Sequence, residues 1–180
     1  MNGVSWDGFR VMRNSFLLIL FLSLAGCASL PDDYTRTESH ALQDYRSTSF
    51  GARFAELEAE HPGESGFSLV RYGRMAFNTR IGMIDLAEKT VDLQVYIWEV
   101  DETGLMLVER ILRAARRGVR VRLLIDDLGA GLKDEGLATL NAFPNIEVRL
   151  FNPFANRDFT ALDFLTDLDR VNHRMHNKSV

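Results

Sequence analysis

The chain has 180 residues, of which 46% are hydrophobic and 10% aromatic, which fits one globular domain with a real core and excludes a disordered tail. Its formal net charge is −4, and it has no lysine- or arginine-rich block of the kind that tracks a nucleic-acid backbone. Cys27 is the only cysteine, so an internal disulfide is excluded.

The N-terminal residues have the features of a bacterial export signal. Arg10 and Arg13 precede an apolar run over residues 16–24, which is too short to span about 30 Å of hydrocarbon as a permanent helix. The Leu-Ala-Gly-Cys sequence at 24–27 resembles the lipobox of bacterial lipoproteins. This resemblance implies that Cys27 becomes a lipid-attached N-terminus. The alternative is an incidental cysteine at the end of an anchor helix.

The next segment, residues 27–66, is polar and interrupted by prolines and glycines. Such a composition predicts a tether that lifts the following domain off the membrane, with one helix at about 49–60. The lipoprotein resemblance also implies a location. Ala28 directly after the cysteine implies sorting to the outer membrane, so we expect the chain to be anchored in the bacterial cell envelope, at the periplasmic face of that membrane.

Hydrophobic periodicity predicts that residues 67–180 contain alternating strands and helices. The predicted strands are 67–70, 91–98, 119–125 and 146–151, and the predicted helices lie at about 77–89, 103–117 and 135–142. Thr103 is expected to cap the second helix and Gly118 to end it. Because strand 91–98 becomes apolar on both faces, we expect it to be central in its sheet. The strand–helix–strand order predicts an α/β fold with parallel neighbours.

Polar residues follow the predicted strands where they end. These residues are Glu99, Asp126, Asp127 and Asn152. In open α/β sheets, ligands usually bind beyond the carboxyl ends of strands. The favoured interpretation of Asp126 and Asp127 is that they cap a turn or the following helix. The alternative makes them supporting partners of a site. No glycine-rich phosphate loop follows any strand, which argues against a nucleotide-binding Rossmann domain.

The C-terminal residues carry the strongest chemical signal. Residues 153–171 form a polar connection with several phenylalanines, predicted to be a long loop or a lid over the site. If residues 172–180 form a strand, His176 and Lys178 point to the same face. An imidazole can attack phosphorus, and a lysine ammonium can hold phosphoryl oxygens. The spacing therefore suits phosphoryl transfer, although His-x-Lys alone is a weak signal that arises often on solvated surfaces.

Three segments together resemble the first catalytic half of the phospholipase D superfamily, in its cardiolipin synthase-like branch of bacterial lipoproteins. They are residues 93–98, residues 124–127 and residues 173–178. The resemblance covers residues 67–180. It implies a phospholipase D-like sandwich whose mixed or parallel sheet is flanked by helices, of which this chain contains only an incomplete first half.

The resemblance also implies a mechanism. His176 would be either the nucleophile that forms a phosphohistidine or the acid and base for the leaving group, and Lys178 would clamp the phosphate. One histidine attacks the phosphodiester, a second protonates the departing alcohol, and water or another alcohol resolves the intermediate. The implied substrate is a glycerophospholipid, and no cofactor or metal is implied.

The chain departs from the superfamily pattern near Val180. The superfamily motif is His-x-Lys followed four residues later by Asp, and that Asp position lies beyond Val180. We therefore expect residues 1–26 to be a signal peptide, 27–66 a tether and 67–180 a partial catalytic domain, inactive without the second motif half. The alternatives are a phosphodiesterase or nuclease of the same superfamily, a non-catalytic envelope lipoprotein, and a degraded remnant.

Overall fold

A computed structural model describes residues 11–12, 14–16, 29–35 and 37–180. The predictions for Arg10, Arg13, the lipobox and Cys27 lie outside these residues. Along the described part of the chain, no helix has both the length and the apolar character needed to cross a bilayer.

The fold is α/β, as predicted, with a four-stranded mixed sheet flanked by helices. The strands are β1 (Thr90–Val95), β2 (Arg120–Asp126), β3 (Ile146–Phe151) and β4 (Lys178–Ser179). Their order across the sheet is β3-β2-β1-β4. β1 pairs with β2 in parallel, β2 pairs with β3 in parallel, and β4 pairs with β1 antiparallel. The predicted central position of β1 is confirmed.

Side-chain alternation sets the pairing of the two inner strands. In β2, Val121, Leu123 and Ile125 are almost completely buried. Val91 pairs with Val121 and Leu93 with Leu123, so apolar residues of both strands face the same core. Because the side-chain period of a strand is two, a shift of one residue would expose this whole set to solvent.

Within residues 37–180, two α-helices precede β1 and four lie between successive strands. They are α1 (Ser49–Glu60), α2 (Gly73–Leu86), α3 (Glu102–Arg116), α4 (Asp134–Asn141), α5 (Ala161–Thr166) and α6 (Leu168–Val171). α1 begins and ends as predicted. Helix α2 packs on α3, α3 packs on β2, and α4 packs on β3. The core therefore lies between the sheet and these helices.

The cap of α3 differs from the prediction. Asp101 is the N-cap, and its carboxylate accepts the N–H of Gly104 at 2.8 Å. Thr103 lies inside the first turn and donates its hydroxyl to Asp101. Both residue types favour N-cap positions, and Asp101 lies only two residues before Thr103. Gly118 ends the helix as predicted, with a φ of +90° that suits glycine.

Residues 67–70 do not form the predicted strand. They have no strand assignment, and Phe67 and Leu69 are 95% and 82% exposed. A short apolar run resembles a strand in sequence, but a strand also needs a neighbour to accept its backbone hydrogen bonds.

Residues 37–40, within the predicted tether, contact arginines of the sheet. Arg120 donates to the His40 carbonyl at 2.8 Å, and Arg122 donates to the Ser39 hydroxyl at 3.1 Å. Arg149 donates to the Thr37 carbonyl. These residues belong to the same compact unit as the sheet, which comprises 36–152 and 174–180. These contacts hold residues 37–40 against the sheet.

Residues 153–173 belong to a second compact unit. They contain α5 and α6, where the sequence predicted a long loop or a lid. Asp163 is 2% exposed and accepts the backbone N–H groups of Ala155 at 2.6 Å and Asn156 at 3.3 Å. Arg170 donates to the Pro153 carbonyl at 2.7 Å. These bonds fold the segment onto itself.

Candidate functional site

The site is built on the last strand, which is shorter than predicted. Only Lys178–Ser179 pairs with β1, opposite Gln94–Val95. The preceding residues are not a strand, because the Met175 N–H donates to the Asp126 side chain at 2.8 Å and not to a neighbouring strand. The short strand carries Lys178 to the edge of the sheet.

His176 and Lys178 are in direct contact. Lys178 Nζ lies 3.2 Å from His176 Nε2, and both side chains are exposed. Because an ammonium can only donate, a hydrogen bond between these atoms runs from Lys178 Nζ to a lone pair on Nε2, and the imidazole proton is assigned to Nδ1 on that basis. The nitrogen suited to nucleophilic attack is therefore next to a cation that can bind an anionic substrate.

Tyr96 lies beside both members of this pair. Its ring centroid is 4.8 Å from that of His176, with the planes tilted by 59°. Lys178 Nζ is 5.3 Å from the same centroid. A tilted aromatic pair and a cation near a ring face are both favourable geometries. The Tyr96 ring thus contacts the imidazole and the ammonium together.

Asp126 connects the end of β2 with the residues before His176. It is fully buried. One oxygen accepts the Leu128 N–H at 3.0 Å and the Arg174 guanidinium at 3.0 Å, and the other accepts the Met175 N–H. Asp126 therefore caps the short 3-10 helix Asp127–Gly129 and also contacts the His-x-Lys segment.

The other residues singled out at strand ends have different positions. Asp127 is 8% exposed and begins the 3-10 helix. Asn152 has a φ of +47°, and its carbonyl accepts from Arg174 at 3.1 Å. Glu99 lines a cleft of about 270 Å³ that Lys178 also lines. The structure brings Asp126 and Asn152 together through Arg174.

The cleft has an apolar wall and a mixed charged rim. Leu93, Trp98 and Leu107 contribute apolar surface, and Arg80 and Asp101 contribute opposite charges. Hydrogen bonds from the Gly104 N–H and the Thr103 hydroxyl lower the pKa of Asp101 from its ordinary value, so it is ionised near neutral pH. Among the described residues, no three histidine, cysteine, aspartate or glutamate side chains are grouped as metal ligands.

Comparison with known proteins gives the family. No family model matches the chain. However, it is 46% identical over 123 residues, 68% of its length, to cardiolipin synthase C of Escherichia coli. The chain belongs to the cardiolipin synthase-like branch of the phospholipase D superfamily. This cardiolipin synthase-like protein is also 34% identical over 91% of its length to an uncharacterized Helicobacter pylori protein.

The relatives are much longer than this cardiolipin synthase-like chain. It spans 26% of cardiolipin synthase C and 32% of the Helicobacter pylori protein. Among solved structures, NucT from Helicobacter pylori superposes with a TM-score of 0.38 and 24% identity, over 47% of this chain and 52% of that chain.

Two contacts of the cardiolipin synthase-like site were not predicted from the sequence. Tyr96 lies inside an apolar strand-like run and carries no local signal of a site. Arg174 is next to the recognised motif, but its partner Asp126 is 48 residues earlier in the chain. The sequence does carry a signal for the pair of Asp126 and Arg174. Asp126 lies at a strand end, and Arg174 is a cation two residues before His176.

Proposed function

We propose that this chain supplies the first His-x-Lys half of a site that transfers phosphatidyl groups between alcohols, as in cardiolipin synthesis. The observation that carries the proposal is the 3.2 Å contact between His176 Nε2 and Lys178 Nζ at the edge of the sheet. The 46% identity to a protein named cardiolipin synthase C supports the substrate class, a glycerophospholipid.

His176 is the proposed nucleophile. Its Nε2 lone pair attacks phosphorus of the phosphodiester, and the bond from phosphorus to one alcohol oxygen breaks. The product is a phosphatidyl group on Nε2 and an alkoxide that must take up a proton. In the second step, the group that protonated the alkoxide takes the proton from the hydroxyl of another lipid. The oxygen of that hydroxyl attacks phosphorus, which releases the imidazole with its lone pair restored.

Lys178 is the proposed phosphate clamp. In the structure its ammonium lies 3.2 Å from His176 Nε2. A phosphodiester oxygen is a better acceptor because it carries negative charge, so binding exchanges the lysine–histidine bond for a lysine–phosphate bond. This exchange frees the Nε2 lone pair and directs it toward phosphorus. The same ammonium offsets the charge that grows on the equatorial oxygens in the transition state.

The whole protein must also provide an acid for the leaving alcohol. General acid catalysis typically contributes about 10²–10⁴-fold. We infer that a second histidine supplies this proton. This chain spans about a quarter to a third of the length of its relatives, and we place the second histidine in the remaining part.

The proposed location is the bacterial cell envelope, with lipid attached at Cys27 and the chain at the periplasmic face of the outer membrane.

A chimera tests the proposal. The portion of Escherichia coli cardiolipin synthase C that aligns with this chain is replaced by this chain, and the chimera is expressed in cells whose own cardiolipin synthases are deleted. We expect cardiolipin to be restored in the lipid extract. His176→Ala should abolish its formation, and Lys178→Ala should lower it strongly. His173→Ala is the matched control, because His173 is an exposed histidine three positions earlier in the sequence and has no proposed role.

Two results contradict the proposal. One is a chimera that accumulates to the parent level but makes no cardiolipin. The other is a His176→Ala chimera that makes as much cardiolipin as the chimera with His176 intact.

A further inference from the structure

We infer that Asp126 and Arg174 form a buried latch that positions His176. The latch is defined by the Asp126 carboxylate, the Arg174 guanidinium and the backbone N–H of Met175. The contacts among these groups do not depend on the proposed reaction. Their effect on catalysis rests on the proposed function of His176.

The burial of Asp126 makes its partners important. A carboxylate without access to water is costly unless several donors satisfy it. Asp126 is 0% exposed, and its donors come from two separate parts of the chain: Leu128 just after β2, and Arg174 and Met175 near the C-terminus. The carboxylate therefore holds these two segments together.

Arg174 extends the connection to the neighbouring strand. Its side chain is 11% exposed, and one amino group donates to Asp126 at 3.0 Å. The other donates to the Asn152 carbonyl at 3.1 Å. Asn152 follows β3 in the left-handed region, where asparagine is one of the tolerated residues. The guanidinium thus joins the carboxyl ends of β2 and β3.

His176 is held between two fixed points. On one side, Met175 is 8% exposed and its N–H is bound to Asp126. On the other side, Asn177 donates its side-chain amide to Gln94 at 2.8 Å, and Lys178 pairs with β1. Few backbone angles remain free between these points. The imidazole is therefore confined to its position beside Tyr96 and Lys178.

The substitution Asp126→Asn distinguishes the positioning of His176 from capping of the 3-10 helix. Asparagine is a good capping residue, so its carbonyl oxygen can still accept from Leu128 and Arg174. Its amide group then faces the Met175 N–H, and two donors cannot bond to each other. The variant keeps the cap and loses the contact next to His176.

Amide hydrogen exchange measures the bond between the Met175 N–H and the Asp126 carboxylate directly. In the full 180-residue chain in detergent micelles, followed by NMR, we expect the Met175 amide to be protected. Asp126→Asn should speed its exchange by at least about tenfold. Val121 and Leu123, in the ladder of β2, report whether the sheet remains folded. Asp92→Asn is the matched control, because it disrupts another aspartate–arginine pair, with Arg122, without touching the latch.

The rate of Met175 hydrogen exchange decides whether Asp126 binds the Met175 N–H. Unchanged Met175 exchange in an Asp126→Asn chain whose β2 amides stay protected would overturn the latch. If Asp126→Asn does not fold, Arg174→Lys is the second variant. A lysine keeps the charge but cannot donate to Asp126 and Asn152 in a forked geometry. It should also speed Met175 exchange, and unchanged exchange would again overturn the latch.

Kinetics of the purified chimera decide the positioning role. Asp126→Asn should lower kcat by about 10- to 100-fold with little change in KM, because the loss falls on nucleophile placement and not on lipid binding. A normal kcat together with rapid Met175 exchange would overturn the positioning role. An inactive parent chimera, or an active His176→Ala chimera, would refute the proposed function, while the exchange data would still decide whether the latch exists.

Discussion

Tyr96 contacts both proposed reactive groups through its ring. The centroid distances are 4.8 Å to His176 and 5.3 Å to Lys178 Nζ. Neither contact uses the hydroxyl, so the ring face alone accounts for the geometry. A flat aromatic surface limits the motion of the imidazole and favours a nearby ammonium.

Substitutions of Tyr96 test this role of the ring. Tyr96→Leu should lower kcat of the chimera by about tenfold, because an aromatic pair and a cation–π contact each contribute of order 1 kcal/mol. Tyr96→Phe keeps the ring and should leave kcat within about twofold of the parent. The measurement is cardiolipin formation by the purified chimeras. Equal losses in both variants would mean that the hydroxyl matters and the ring does not.

Asp163 is a buried carboxylate outside the proposed reaction. Burial opposes its ionisation, but hydrogen bonds from the Asn156 side chain and from the N–H groups of Asn156 and Ala155 outweigh this and lower its pKa below 3.8. Because the pKa of Asp163 is lower in the folded state, its ionised carboxylate stabilises the segment at pH values above the pKa of an unfolded aspartate. That stabilisation is lost as the pH falls through the folded-state pKa.

Acid should therefore loosen residues 153–173 through Asp163. We expect the Ala155 and Asn156 amides to be protected from hydrogen exchange at neutral pH, and to lose protection only at a pH below the ordinary pKa of an aspartate. Asp163→Asn should reduce this protection at neutral pH and remove its pH dependence. Protection in the unsubstituted chain that is independent of pH down to strong acid would contradict the role of Asp163.

At the scale of elements, the first turn of α3 depends on close backbone contact. A Cβ atom at Gly104 would lie 1.9 Å from the Glu99 carbonyl oxygen, whereas a Cβ atom at Gly82 in α2 would meet nothing within 4 Å. The Gly104 N–H also completes the Asp101 cap. Glycine at position 104 therefore lets the strand end and the helix start approach each other.

Two alanine substitutions separate this contact from helix propensity. Gly104→Ala should lower the free energy of unfolding by about 1–3 kcal/mol, because backbone must shift to relieve the clash. Gly82→Ala should raise it by up to about 1 kcal/mol, since alanine favours a helix interior. Denaturant unfolding of the full chain measures both. A neutral or stabilising Gly104→Ala would refute the close contact.

The elements that were predictable are those with a complete local signal. β3 and α1 have the predicted bounds because periodicity and flanking breakers agree. The segment 67–70 shows the limit, because pairing partners are not encoded in the run itself. The same limit applies to residues 172–177, where the side chain of Asp126 takes the backbone donor that a strand would have used.

At the scale of the whole molecule, sequence alone singled out His176 and Lys178 and offered Asp126 as one possible supporting partner, but it did not predict the contacts that connect them. Their two-residue spacing is local and readable. The support from Asp126 joins residues 49 positions apart. Tyr96 follows β1 and contacts His176 from a distant part of the sequence. Such contacts follow from the order of strands in the sheet, which periodicity does not determine.

The N-terminal prediction concerns residues outside the described structure. Cells grown with labelled palmitate should incorporate the label into the full chain. Cys27→Ser should abolish labelling and leave the uncleaved precursor, since the modified atom is the cysteine sulfur. Each buried methylene of an acyl chain adds about 0.8 kcal/mol of membrane affinity, so the unmodified chain should also be found less on membranes. A wild-type chain without label would refute the lipoprotein assignment.

The most direct test of the account is to trap the covalent intermediate. The chimera is mixed briefly with a phospholipid, quenched with denaturant at neutral pH, digested and examined by mass spectrometry. We predict a phosphatidyl adduct on the peptide that contains His176, labile to acid as expected for a phosphorus–nitrogen bond, and absent in His176→Ala. An adduct on another residue together with none on His176 would contradict the assignment of His176 as the nucleophile.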